Sequence, residues 1–196
     1  MAFRPRELGC GDLDAIVELH ETVHTDHVAT GVEVDHGLFA RETRAFFHDH
    51  LEVRGRIFGI HDAGRLIAYG VLGLPAPGDD HFGALVDHPP TDPGRVAHVD
   101  GVAVRPAHRG QRLQRLLIEH RLQAALERGR DLVYTTVSPR NLHSLGNLQQ
   151  AGFRIVGRRA LFGGHDGGHD RFVMEWAGRR ADAEAQVVAD LAAGTL

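Results

Sequence analysis

The sequence predicts one domain of the α/β or α+β class, a β-sheet with helices on both faces. Three observations carry that expectation. Short apolar strand-like runs alternate with helix-period segments, the 196 residues suit one domain with a substantial core and a tail, and no repeat or low-complexity block intervenes. Hydrophobic residues are 42% and charged residues 24%, with a formal net charge of −4, so the basic excess of a general nucleic-acid binder is absent. Cys10 is the sole cysteine, which rules out an intrachain disulfide and suits a reducing, cytoplasmic location. The opening MAFRPRELGC lacks the apolar run of a signal peptide and no segment reaches the length of a membrane span, so neither membrane nor nucleic acid is expected as a partner. All 22 basic residues are Arg, which removes mechanisms that need a lysine, including a Schiff base.

Element by element, FRPREL (3–8) is a short strand and GDLDAIVELHETVHTDH (11–27) a helix opened by Asp12, with Leu13, Ile16, Val17 and His20 on one stripe. VDHGLFARETRAFFHDHL (34–51) has a second helical period, and RIFGIHDAGRLIAYGVLGL (56–74) is a hairpin turning at Ala63 and Gly64. Residues 75–95 hold five of the eight prolines and form a long loop, a kind of segment that is often functional. VAHVDGVAV (96–104) is a buried strand, followed by an arginine-rich turn and a helix to about Arg128 with Leu113, Leu116, Leu117 and Ala124 on its stripe, stopped by Gly129. DLVYTTV (131–137) is a strand and NLHSLGNLQQAGF (141–153) a short helix capped by Asn141. RIVGRRALF (154–162) and RFVMEWA (171–177) are a final pair of strands joined by the flexible turn GGHDGGHD. Residues 1–178 are therefore the domain, and 179–196 an appended C-terminal helix that packs on its own sheet or on a second subunit as a homodimer.

Two features ask for chemistry. The helix after the buried strand starts among Arg105, His108, Arg109, Arg112 and Arg115, at the end where the macrodipole is positive and amide N–H groups are unpaired. Either these are solvated surface arginines, or a phosphate sits there and supplies the missing negative charge. In the strand itself, alternation sets Val96, His98, Asp100, Val102 and Val104 on one face, and two titratable groups in an apolar strand need a reason. Gly101 is a candidate bulge that would re-aim them.

The order of elements, the stretch VAVRPAHRGQRLQRLL (102–117) and the later pattern Asn141, Ser144, Gly152, Phe153 resemble the GCN5-related N-acetyltransferase superfamily. The resemblance is strongest over 96–154. It implies a mixed, mostly antiparallel sheet of six to seven strands, and an enzyme that passes an acetyl group from acetyl-coenzyme A to an amine by direct attack in a ternary complex. The family writes its turn Arg/Gln-x-x-Gly-x-Gly/Ala and wraps the pyrophosphate in that turn's amides. By that likeness Arg109, Gly110, Gln111, Arg112, Leu113 and Gln114 bind the cofactor, with Arg112 and Gln114 standing where the family has glycine. An arginine there must turn its side chain aside or lay it over the phosphates; the remaining alternative is a site that has lost its ligand.

The resemblance also implies that the backbone of Val102, Ala103 and Val104 pairs with the pantetheine arm, that Asn141 contacts the cofactor, and that His98 and Asp100 are the catalytic pair, one of them taking the proton from the acceptor ammonium. A hydrogen-bonded polar pair with no catalytic part is the plain alternative for those two. The family commonly protonates the departing thiolate with a Tyr seven residues after the Asn; that position is Leu148, which leaves water, Tyr134 or Ser144. Acceptors in view are a small-molecule amine or a peptide N-terminus. No metal is expected. Two rival readings stand beside this one: a non-catalytic acyl-CoA-binding module, and a zinc hydrolase built on HETVH (20–24), which spells His-Glu-x-x-His but lacks a third ligand at a recognised spacing.

Overall fold

The apolar runs become seven strands: β1 Arg6–Glu7, β2 Gly55–Asp62, β3 Arg65–Gly73, β4 Val96–Val104, β5 Leu132–Val137, β6 Arg154–Leu161 and β7 His169–Ala177. The helices are α1 Leu13–Ala29, α2 Arg44–Asp49, α3 Leu113–Glu127 and α4 Leu142–Gln150. The structure is a computed structural model that describes residues 3–31, 41–87, 89–162 and 168–178. The strands form one sheet in the order β1-β2-β3-β4-β5-β7-β6. All neighbours are antiparallel except β4 and β5, whose parallel pairing requires a crossover, and α3 supplies it. The expected mixed, mostly antiparallel sheet with helices on both faces is the sheet observed.

Both faces are covered, which is why β3 is buried along nearly its whole length instead of alternating. On one face Leu113, Leu117, Ile118 and Leu122 of α3 and Leu148 of α4 pack on Ile60, Ile67, Val99 and Val133. On the other, Ile16, Leu19 and Val23 of α1 and Phe47 of α2 pack on Ile57, Tyr69, Val71 and Ala103. Each such side chain contributes about 1.5–3 kcal/mol by leaving water. The β2–β3 hairpin turns at Ala63 (φ 45°) and Gly64 (φ 79°), the left-handed pair a two-residue hairpin needs.

Several expectations change. The first strand shortens to Arg6–Glu7. Asp12 precedes α1 but does not cap it; its carboxylate accepts from the Gly9 N–H (3.0 Å) and from Arg6 (2.7 Å). The second helix begins only at Arg44, because Thr43 Oγ1 accepts the Phe46 N–H (3.1 Å) and caps it there. It then runs into a wider, π-type turn, His50–Arg54. The appended helix expected over 179–196, the start of the second helix before residue 41 and most of the GGHDGGHD turn lie outside the described residues.

The change that matters most is in β4. Between the ladder pairs Gly70↔Val102 and Leu72↔Val99, β3 supplies Val71 alone while β4 supplies both Asp100 and Gly101, a β-bulge. The single shared face expected for Val96, His98, Asp100, Val102 and Val104 is therefore broken. Val99 before the bulge and Val102 after it both pack against the α3 side, and Ala103 joins the α1 side. Asp100 is left to face a cleft on the sheet's other side.

Candidate active site

β4 pairs with β5 through Val96, Ala97 and His98 only. The Thr135 hydroxyl donates to the Val99 carbonyl (2.7 Å) where the strands part, and from there β4 goes on with one edge on β3 and the other without a strand partner among the described residues. The open stretch includes Val102, Ala103 and Val104. Asp100 sits at the head of this divergence.

Asp100 lines a cleft of about 400 Å³ together with His50, Arg54, Gly73, Leu74, Asp79, Asp80 and His98. Its carboxyl reaches the cleft because residue 73 is glycine: a Cβ there would lie 2.5 Å from Asp100 Oδ2 and 3.2 Å from His98 Cβ. His50, from the wide turn after α2, donates through Nδ1 to the Phe46 carbonyl (2.8 Å), which aims its Nε2 at Asp100 Oδ2, 4.0 Å away. Burial, with Asp100 only 18% exposed, pushes its carboxyl up to about 7; Glu42 adds to the rise and the Arg121 guanidinium opposes it.

His98 is built differently. Its Nε2 accepts the Phe82 N–H (3.2 Å) and its ring stacks on the Phe82 ring, centroids 4.5 Å apart. Burial takes its pKa down to about 3, with His81 and His50 adding to the fall, so the ring is neutral with its free lone pair engaged.

The turn into α3 sorts the five cationic candidates. Arg105 is buried and pairs with Glu18 of α1 (2.6 Å), Arg109 pairs with Asp26 (2.8 Å), His108 lies 3.3 Å from Asp62, and Arg115 pairs with Glu119 (2.9 Å). Arg112 alone of these has no partner among the described residues. No side chain caps α3. Gly110 (φ 78°) and Arg112 (φ 60°) both take the left-handed conformation, so position 112 keeps the backbone that favours glycine while carrying an arginine. The open strand edge, the cleft with its carboxyl and an uncapped helix start thus belong to one β4–turn–α3 unit.

A sequence model of the Acetyltransferase (GNAT) family matches residues 15–153. The chain belongs to the GNAT acetyltransferases. Among solved structures, the GNAT chain is similar to the ribosomal-protein-S18-alanine N-acetyltransferase from Escherichia coli (18% identity, TM-score 0.65, covering 90% of this chain and 94% of that one). It is similar as well to an acetyltransferase from Salmonella typhimurium described with its cofactor acetyl-CoA (17%, TM-score 0.63, 90% and 94%). A spermidine N-acetyltransferase chimera from Vibrio cholerae and hSSAT matches at 17% and TM-score 0.62, over 90% and 96%. These likenesses show the fold. No curated protein matches the chain. Membership makes it an acetyltransferase of the kind that moves an acetyl group from acetyl-CoA to an amine.

The remaining residues singled out in this GNAT chain have structural duties. Gln114, at the second glycine position, turns its side chain to α4, donating to Ser144 Oγ (2.9 Å) and accepting from Asn147 (2.8 Å). Asn141 caps α4 by accepting the Ser144 N–H (3.1 Å). Leu148 is buried in the core with Phe153. Of the two alternative hydroxyls, Tyr134 donates to Glu175 (2.6 Å), and burial and that carboxylate push its pKa up; Ser144 Oγ accepts from Gln114 and donates to no partner among the described residues. Leu113 is core.

HETVH is no zinc motif in this GNAT fold. His20 is 2% exposed, its Nδ1 lies 2.7 Å from the Tyr69 hydroxyl and its Nε2 accepts the Glu42 N–H (3.0 Å), so both ring nitrogens are used. Sequence reasoning passed over His50, Gly73, Phe82 and Arg121. Only Arg121 left a signal, being an arginine spaced i+4 and i+8 from Leu117 and Leu113 on the buried stripe of α3. No helix among the described residues is long and apolar enough to cross a membrane.

Proposed function

We propose that the protein acetylates a primary amine, a small molecule or a peptide N-terminus, by direct attack on acetyl-CoA in a ternary complex, with Asp100 as the base. The observation that carries this reading is the parting of β4 from β5 after His98, which leaves Asp100 facing the 400 Å³ cleft beside an open strand edge. Asp100 takes one proton of the acceptor ammonium, the freed nitrogen forms the new N–C bond at the acetyl carbonyl, the C–S bond breaks, and the nitrogen gives up its second proton to water as the amide forms. The base is Asp100 and not His98 because the His98 lone pair is already spent on the Phe82 N–H. His98 instead lines the cleft beside Asp100, held there by the Phe82 N–H and ring. The leaving thiolate takes its proton from water or from Ser144, and a thiol with a pKa near ~8.5 departs tolerably without help.

The donor fits what the chain offers. The amides of Gly110, Gln111, Arg112, Leu113 and Gln114 at the uncapped α3 start hold the pyrophosphate, with the unpaired Arg112 guanidinium laid over it and Arg109 shared with Asp26. Val102, Ala103 and Val104 receive the pantetheine arm as an added strand, and Asn141 flanks it from the start of α4. Calorimetric titration of acetyl-CoA tests this half: micromolar binding is expected, weakened about tenfold by Arg112→Ala, a loss of about 1.4 kcal/mol, and less by Arg109→Ala. Wild-type affinity in both variants would remove the pyrophosphate from the α3 start.

Leu148 favours a second reading, an acyl-CoA-binding module without turnover, because its place in the core leaves no hydroxyl at the family's usual acid position. Binding of acetyl-CoA with no acetylation across an amine panel would select that reading.

A further inference from the structure

Arg121 is 0% exposed, a full charge in the interior of α3's packing face. Its Nε donates back to the Leu117 carbonyl (3.0 Å), and its Nη1 donates both to the Val71 carbonyl of β3 (2.9 Å) and to the Asp100 carbonyl of β4 (3.1 Å). Val71 and Asp100 are the residues at the bulge, where the ladder between the strands is interrupted. The guanidinium gets there through a gap left by Gly70, where a Cβ would stand 2.9 Å from Arg121 Cζ. Nη2 is buried with no hydrogen-bond partner among the described residues.

As packing alone this is a poor arrangement. A buried cation is costly to desolvate, an orphaned donor adds to the cost, and an apolar side chain of similar volume fills such a space better. Something other than stability accounts for the charge.

We propose that Arg121 is a positioning residue for acetyl transfer: it pins the bulge that turns Asp100 into the cleft, and its charge keeps that carboxyl available as a base. The inference rests on Asp100 being the base. Other groups also face Asp100. Glu42, ahead of α2, pushes its carboxyl toward the protonated form; His50 from the wide turn and His98 on its own strand are held neutral by burial; Arg54, Asp79 and Asp80 line the same cleft. Arg121 is the buried cation set against them, and its own pKa falls by burial to about 10, well above working pH.

The test compares Arg121→Gln, which keeps amide donors for the carbonyls but loses the charge, with Arg121→Lys, which keeps the charge. The acid limb of the kcat/KM profile is expected to move up by about one pH unit in Arg121→Gln with a tenfold or greater rate loss at pH 7, and to stay within about 0.3 units of wild type in Arg121→Lys. Acetyl-CoA affinity is expected to hold within about threefold in both. A merely structural role lowers the rate at every pH without moving the limb, and an unmoved limb in Arg121→Gln overturns the proposal. Should Arg121→Gln not fold, Gly70→Ala displaces the guanidinium in the native chain, and the same upward shift is expected; no shift overturns the proposal. Asp100→Asn in parallel separates the two claims. Near wild-type turnover there removes Asp100 as base, whereas a dead Asp100→Asn beside an unshifted Arg121→Gln removes only Arg121. Carboxyl-carbon NMR of Asp100 reads the coupling without turnover.

Discussion

Asp100 carries opposite consequences for activity and for stability. As a base it must be ionised, and its carboxyl sits at about 7, so kcat/KM is expected to fall about tenfold per pH unit below that value and to level off above it. Asp100→Asn is expected to lower turnover by 10²-fold or more with acetyl-CoA binding unchanged, measured by thiol release and calorimetry. For folding, the native carboxyl holds its proton to about 7 while the unfolded one releases it near 4, so the native state loses stability as pH rises through that window. Asp100→Asn is therefore expected to be more stable than wild type at pH 8, on the order of 2–4 kcal/mol, with the gap closing toward pH 4 in denaturant titrations. His98 and Asp100 were legible as a titratable pair in an apolar strand. Which of them has a free lone pair was not, because Phe82, the residue that occupies His98, comes from a loop 16 positions earlier.

The β4–turn–α3 unit shows what an element adds to its residues. Gly110 and Arg112 both stand at positive φ, and an arginine in that region costs about 1–2 kcal/mol that glycine does not. Arg112→Gly is expected to raise the melting temperature by about 2–4 °C after glycine's own entropy cost is set against the relief. If the Arg112 side chain covers the pyrophosphate, the same variant is expected to bind acetyl-CoA more weakly despite folding better, and calorimetry beside a thermal melt checks both. The crowded arginines announced an unusual helix start in the sequence. Their sorting needed the fold: Glu18 and Asp26, which hold Arg105 and Arg109, lie on α1, far away along the chain.

Across the whole molecule the buried histidines set the response to acid. Burial holds His20 at about 4 and His98 at about 3, and lowers His27, His50 and His61 as well. Below about 6.5 the unfolded chain binds these protons while the native one does not, so stability falls with pH. Asp100, between 7 and 4, and Glu42, whose carboxyl burial also raises, work the other way, but they are two groups against five histidines. Urea titrations are expected to give a less stable protein at pH 5 than at pH 7.5, with the loss reduced in His20→Gln if that variant keeps the bond to the Glu42 N–H.

By itself the sequence determined the sheet-and-helix class, most strand positions, the hairpin at Ala63 and Gly64, and the family, because hydrophobic period, turn residues and the Arg109–Gln114 stretch are local signals. Tertiary structure decided the rest. Where β4 bulges depends on its register against β3, and that register sends Asp100 to one face and Val102 to the other. That Arg121 is buried, that Gly73 leaves room for a carboxyl and that His20 is spent on Tyr69 and Glu42 all depend on residues brought together from separate strands and helices. Contacts between distant segments leave no period in a sequence, so a single chain discloses the elements and conceals the way they meet.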